Sequence, residues 1–348
     1  MNLFKLTLLI LCLSCGSSED SNVTAQEEWL IPRAHVLSGG PGKDGIPAVD
    51  NPKFTKPGDI DFVLDHDLVL AIKLDGDIRA YPHPILDQHE IVNDEFDNTY
   101  ISITYCPLTG TGIGWDRVVN GNKTTFGVSG LLYNTNLIPY DRKSNSLWSQ
   151  MRLECVNGDF IREKTKNFNL FETTWKTWKQ MYPDADVLND DTGYNKVYGL
   201  YPYDDYRENN NLILFPITVD DTRLPRKERV LGVIGQSPKV YRFDNFTNEK
   251  IGSLTDIVNG EELIIVGSRE SNFIVAFNSK LSNGLSLTLA VVEDDLPNIL
   301  KDTEGSVWNI FGEAVSGPRI GQKLNSPDQM MGYWFSFATF YSDIDIYQ

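Results

Sequence analysis

Cys106 is the residue around which chemistry could be built. It stands in Tyr105-Cys106-Pro107-Leu108-Thr109-Gly110-Thr111-Gly112-Ile113-Gly114, where an apolar, β-branched run ends and the backbone turns glycine-rich. Two of the chain's four histidines lie just upstream, in Tyr81-Pro82-His83-Pro84 and His89-Glu90-Ile91-Val92-Asn93-Asp94. A thiol and two imidazoles are soft or borderline donors, so Cys106, His83 and His89 are candidate ligands for copper or zinc. Alternatively, Cys106 is a nucleophile with His89 as base and Glu90 as orienter, and the glycine turn supplies backbone N–H groups to an oxyanion. Thr109, Asn134, Arg142 and Trp148 are candidate ligand contacts beside it. The expectation is a binding module with a small-ligand or transition-metal site on Cys106 and His89. The alternatives are a thiol enzyme, or a non-catalytic surface protein. In the last case Trp115, Tyr133, Trp148 and the tyrosines from 194 to 206 would face a glycan, peptide or protein partner.

The elements that must carry these residues are mostly strands. Phe62–Leu74, Asp77–Tyr81, Tyr100–Tyr105, Ile113–Val118, Thr124–Val128, Val230–Val233, Leu263–Val266, Phe273–Phe277 and Ser286–Val292 are apolar and β-rich. Asp75-Gly76, Asn120-Gly121, Asn157-Gly158, Asn259-Gly260 and Asn283-Gly284 separate them, and such dipeptides mark hairpins. Helices are few. Phe171, Trp175, Trp178 and Tyr182 make an apolar stripe stopped by Pro183, and Asn169 with Glu172 resembles a capping box that would start it. Trp334, Phe337 and Tyr341 repeat the stripe after Ser326-Pro327-Asp328-Gln329, a second helix start.

That recurrence is general. Blocks around Leu70–Tyr81, Ser146–Ser149, Gly158 and Trp175–Asp186 recur about 160 residues later as Leu231–Tyr241, Ser306–Asn309, Gly317 and Trp334–Asp345. The expected fold is α+β, two pseudo-symmetric repeats of antiparallel sheet, each closed by one aromatic-striped helix. The expected organisation is a signal peptide over 1–14, a lipid-anchored tether and lead-in over 15–43, and a first repeat with the site over 44–189. An aromatic and acidic connector over 190–229 and a degenerate second repeat over 230–348 complete it. The second repeat has Ser268 where the first has Cys106, and it lacks counterparts of His83 and His89.

The start of the chain, with Lys5, an apolar run from Leu6 to Leu13 and then Ser14-Cys15-Gly16, has the layout of a secretory signal. It resembles a bacterial lipoprotein signal with Cys15 as the lipidated residue. The acidic, small-residue stretch after Cys15 is similar to the export signal of Bacteroidota surface lipoproteins. The expected place is therefore the outer membrane, lipid-anchored, surface-exposed or periplasmic. The net charge of −17 argues against nucleic acid as a partner. With Cys15 lipidated, Cys106 and Cys155 remain. They either close a disulfide loop, worth about 3–4 kcal/mol, or stand as two unrelated thiols. No phosphate-binding loop, zinc-peptidase helix, calcium loop or dinucleotide fingerprint occurs.

His89–Asp94, Tyr105–Gly110, Phe126–Asn134 and Leu147–Gln150 together resemble the exported bacterial and archaeal family catalogued as domain of unknown function 3179. Asp44–Ala48, Asp191–Tyr194 and Trp334–Tyr341 fit the same pattern, so the resemblance spans about Asp44 to Tyr347. It implies an exported protein of that fold and little about activity. Family members often have Cys-Pro-Leu-Cys where this chain has Cys106-Pro107-Leu108-Thr109. The missing second thiol excludes a dithiol redox couple and a two-cysteine zinc half-site.

Overall fold

The computed structural model describes residues 28–247 and 250–348. The signal and lipidation expectations, Cys15 included, lie outside the described residues. Strands dominate, and three short α-helices interrupt them among the described residues: α1 (His83–His89), α2 (Trp175–Met181) and α3 (Trp334–Phe340). None is long and apolar enough to cross a membrane.

Asp75-Gly76, Asn120-Gly121 and Asn259-Gly260 each have positive φ at both residues, as two-residue hairpins of matching twist require. They close the hairpins Leu68–Leu74/Asp77–Pro82, Val118–Val119/Asn122–Lys123 and Gly252–Val258/Glu261–Ser268.

Three sheets belong mainly to the first half. One runs in the order Phe171–Thr174, Leu68–Leu74, Asp77–Pro82, Asp186–Leu188, Phe54–Thr55. The next holds Asn167–Phe168, Thr111–Asp116, Thr99–Cys106 and Ile91–Phe96. The third runs Val36–Ser38, Phe126–Tyr133, Asn136–Asp141, Leu147–Ser149, Glu154–Asn157. The second half presents Gln329–Tyr333, Arg229–Val233, Lys239–Arg242, Asp345–Ile346 in one sheet. Its other sheets are Gly252–Val258, Glu261–Ser268, Phe273–Asn278 and Leu289–Val291, Asn298–Asp302, Val307–Asn309, Ala314–Ser316. In each half the strand following the helix pairs in parallel with the second strand of the first hairpin, and the other pairings in that sheet are antiparallel.

Both helix starts differ from the sequence expectation. Phe171–Thr174 is strand, paired with Leu68–Ala71, and α2 begins at Trp175 with Thr174 as its cap. Asn169 is used elsewhere, donating to Pro327 O at 2.7 Å and accepting from Gln329 N at 3.2 Å. Likewise Gln329–Tyr333 is strand and α3 begins at Trp334. In each case the edge of an existing hairpin captures the residues before the aromatic stripe, and a sheet ladder satisfies more backbone groups than one extra helical turn.

The cores cross between the halves. Val69, Ala71, Ala80, Trp175 and Trp178 pack with Ile264, Val266, Phe273, Val275, Ile299 and Trp308. Conversely Trp334, Phe337, Val230 and Val240 pack with Cys106, Ile113, Trp115, Phe126, Trp148 and Cys155. Each aromatic helix thus covers strands contributed by the other half. The opposite faces stay within one half: Leu70, Tyr81, Ile85, Val92 and Ile103 in the first, Leu231, Tyr241, Phe246, Leu263 and Ile265 in the second.

Candidate functional site

Cys106 ends the strand Thr99–Cys106 and is buried. The chain then turns tightly, with Gly110 N donating to Cys106 O at 2.8 Å. Gly110 has φ +63°, and a Cβ there would come within 2.7 Å of Arg229 Nη1 and 3.1 Å of the Tyr333 ring. The turn needs glycine for its conformation and for this close approach. The Cys106 thiol points at Thr135 O, 3.7 Å away. Glu90 closes α1 in the left-handed region at φ 59°, and its carbonyl accepts from Tyr105 N at 2.7 Å. Burial pushes the Glu90 carboxyl up to about 8. Burial, and then the nearby Glu90, push the Cys106 thiol up to about 11. Near neutral pH the pair is a thiol beside a carboxylic acid, which is the wrong ionisation for a nucleophile.

His89 serves a different neighbourhood. Its Nδ1 donates to Pro47 O at 2.6 Å, which makes Nε2 the acceptor. Nε2 takes the Tyr198 hydroxyl at 2.6 Å, and Tyr198 meets the Thr192 hydroxyl at 2.5 Å. Burial lowers the His89 pKa, in keeping with a neutral ring satisfied on both sides. His83 lies against Tyr105, with ring centroids 4.4 Å apart, and its Nε2 is 3.3 Å from Glu172 Oε2. So the geometry gives Cys106, His83 and His89 three separate sets of partners. Among the described residues no three of His, Cys, Asp or Glu are grouped to hold a metal ion. Cys106 and Cys155 are both free thiols.

The other sequence candidates are placed as follows. Thr109 belongs to a buried network: its hydroxyl meets that of Thr111 at 2.8 Å and accepts from Asn136 Nδ2 at 2.9 Å. Gln150 completes that network by accepting from Thr111 at 2.7 Å and donating to Thr104 O at 3.1 Å. Asn134 accepts from Thr218 N at 2.9 Å and so ties the turn before Asn136 to the connector. Arg142 lines a cleft with Asp50, Asn93 and Arg117, and is paired with Asp50 at 2.8 Å and Asp44 at 3.2 Å. Trp148 is buried and donates to Asp141 Oδ2 at 3.3 Å. Trp308 makes the same bond to Asp302 Oδ2 in the second half, also at 3.3 Å, so this contact is a recurring structural one. Trp115 is buried too, whereas Tyr194 is exposed.

The structure gathers titratable groups elsewhere, between α1, the connector and the second half. Glu172, in the middle of its strand, is ion-paired with Arg229 and faces His83. Arg229 holds the Glu172 carboxyl below the usual carboxylate range in spite of burial, and desolvation lowers His83. Glu172 Oε2 and His83 Nε2 are both buried and face each other at 3.3 Å, out of hydrogen-bond alignment. One turn further along α1, Asp87 is only 3% exposed, and Arg207 donates to its Oδ2 at 3.1 Å. Burial pushes the Asp87 carboxyl up to about 7, with Arg207 opposing and Asp67 adding to the rise. The Arg207 guanidinium stacks on Tyr201 at 3.6 Å. Tyr105 and Tyr333 lie among the same charges, within electrostatic reach of Asp87, Glu172 and Arg229. Outward, Asp87, Tyr201 and Arg207 open onto a cleft of about 420 Å³ that also reaches His66, Asp67, Asp204, Glu208 and Asn272.

Strand register shows how local this arrangement is. Glu172 sits opposite Leu70, and in the second half Met331 sits opposite Leu231. Thr174 sits opposite Leu68 where Tyr333 sits opposite Arg229. Where α1 follows the first hairpin with His83, a short 3-10 turn starting at Phe243 follows the second. Met331, Phe243 and Leu68 thus hold the places of Glu172, His83 and Arg229 in the other half. The sequence carried a signal for Glu172, an acid one residue from Phe171 within a strand-like run, but the capping pattern absorbed it. Arg229 and Arg207 gave none, because their partners come from far along the chain.

No curated protein and no solved structure matches the chain. A family model does match, over residues 43–344, the one described as a protein of unknown function (DUF3179). With most of its length covered by that model, the chain belongs to this family.

Proposed function

We propose that this chain is a binding module whose small polar ligand enters the cleft over Asp87, Tyr201 and Arg207. The observation that supports this is the ionic group at that cleft, in which buried His83, Asp87 and Glu172 meet the partly buried Arg207 and Arg229. Buried charges cost stability unless they are well paired. Here Glu172 Oε2 and His83 Nε2 face each other at 3.3 Å, the Tyr201 hydroxyl lacks a partner, and at matching register Met331 and Phe243 of the second half and Leu68 of the first stand where Glu172, His83 and Arg229 do. A fold that can be built with apolar residues at those places keeps ions for a use other than stability. A ligand-observed NMR screen of small polar fragments tests this. Hits should be lost in Tyr201→Ala, which lines the cleft, and kept in Arg142→Gln, which lines a separate one. Hits equally retained in both variants would refute the placement.

The two halves are copies of one unit in this proposal, the first functional and the second structural. The shared strand orders and the paired Trp148–Asp141 and Trp308–Asp302 bonds support it. The module is lipid-anchored through Cys15 at the outer membrane. The signal-like start of the chain supports that placement. Metabolic labelling with a palmitate analogue should mark the wild-type chain and not Cys15→Ser.

A further inference from the structure

We propose that the ligand of this cleft is a small molecule carrying a protonated amine, held by Asp87. This rests on the cleft being the binding site. Three observations select the charge. First, the cleft is lined by four carboxylates, Asp67, Asp87, Asp204 and Glu208, against one guanidinium, Arg207, and the exposed His66. Second, Asp87 is 3% exposed, and among the described residues its Oδ1 takes no hydrogen bond while Arg207 occupies Oδ2. An unspent carboxylate oxygen at the floor of a cleft is an acceptor for an N–H donor. Third, the Tyr201 hydroxyl is buried without a partner beside it. An ammonium group has three donors, enough for Asp87 Oδ1, the Tyr201 oxygen and one rim acid. The Arg207 charge is already spent on Asp87 and spread over the Tyr201 ring, so the rim acids are left to favour a cation. The chain's net charge of −17 draws cations in the same direction.

Binding is coupled to protons. The groups facing Asp87 are Asp67 and His66 before the strand Leu68–Leu74, and Tyr105 on its own strand. From the connector come Tyr201, Tyr203, Asp204 and Arg207, and from the second half Tyr333. An ammonium ion needs Asp87 ionised, so the amine should bind more tightly above pH 7 than below it, releasing a proton at the lower pH.

Calorimetric titration of the full chain at about pH 8 with three four-carbon probes, 1,4-diaminobutane, 1,4-butanediol and succinate, tests the inference. The diamine should bind about tenfold more tightly than the diol, with succinate weakest, and Asp87→Asn should lose about tenfold. Because Asp87 is buried, Asp204→Asn with Glu208→Gln provides a rim control. It should weaken the diamine about two- to threefold and reduce the salt dependence. Diol or succinate binding as tight as the diamine, with loss in Asp87→Asn, would overturn the amine while leaving the cleft as the site. Diamine affinity unchanged in Asp87→Asn, or no diamine binding up to about 10 mM, would overturn the amine assignment too. The fragment screen then judges the cleft separately.

Discussion

Cys106 and Glu90 are neighbours that burial keeps neutral, and ionised Glu90 adds to the cost of ionising Cys106. A thiol-reactive probe at neutral pH should therefore leave Cys106 and Cys155 unmodified in the folded chain and label both after unfolding. Rapid labelling of one thiol in the native state would contradict this. Glu90 and Asp87 also set a pH signature. Their folded pKa values, about 8 and about 7, lie above the ordinary carboxyl range, so the native state holds protons that the unfolded chain has lost. That contribution is full below the unfolded values and vanishes as pH rises through 7 and 8. His83 and His89 act oppositely. Their lowered values mean stability lost as pH falls below their unfolded value of about 6.5. The two effects overlap in the acid range, so the clean window lies above about pH 6.5. Denaturant unfolding there should show stability falling with pH, by up to about 1.4 kcal/mol per unit for each proton held. Glu90→Gln should flatten the slope near pH 8, and a flat wild-type profile would show that these acids ionise freely.

Glu172, His83 and Arg229 illustrate what an element does with a charge. Each is delivered by a different piece of backbone: a strand next to Leu68–Leu74, the first residue of α1, and the start of the strand Arg229–Val233. Glu172→Met alone leaves Arg229 buried beside an apolar side chain and should cost about 3–5 kcal/mol. The combination His83→Phe, Glu172→Met and Arg229→Leu installs the residues found at the matching register of the other half. It should recover most of that loss in denaturant melts, and a triple variant no better than the single one would contradict the correspondence. The Gln150 amide is a second test, since Gln150→Leu strands Thr111, Asn136 and the Thr104 carbonyl and should cost about 2–4 kcal/mol. At this scale it is clear why the fold was legible and the ionic group was not. Asp75-Gly76 and Asn259-Gly260 announce hairpins because the needed backbone angles belong to those residues. The aromatic stripes announced α2 and α3, although neighbouring strands took their first turns. Cys106 and the two histidines stood close in sequence, but His89 is turned by Pro47 and Tyr198, a contact that no local pattern encodes. Arg207 and Arg229 meet Asp87 and Glu172 only through topology, at separations of 120 and 57 residues. Charges read from a sequence are solvated by default, and only the crossing of the halves makes these otherwise.

The molecule as a whole is held by two cores that each draw on both halves. Trp175 and Trp178 are buried against the second half, as Trp334 and Phe337 are against the first. Aromatic side chains of this size bury enough surface to dominate a core, so neither half can keep its own core intact without the other. The segment joining them is another matter. Val197 and Leu200 are 66% and 69% exposed, and such loop tips are where proteases cut. Beyond them Tyr206 is anchored by its hydroxyl to Leu108 O at 2.8 Å, and Thr135 bonds to Phe215 O at 2.7 Å. A single cut within the exposed stretch 193–197, before the buried Tyr198, therefore severs the covalent connection without reaching either core. Limited proteolysis should yield two fragments that co-elute in native gel filtration, melt as one unit and part only in denaturant. Separation of the fragments in native buffer would show that the crossing is weaker than its buried area implies. In a protease-rich setting this amounts to tolerance of damage, with a nicked chain persisting as a two-piece complex.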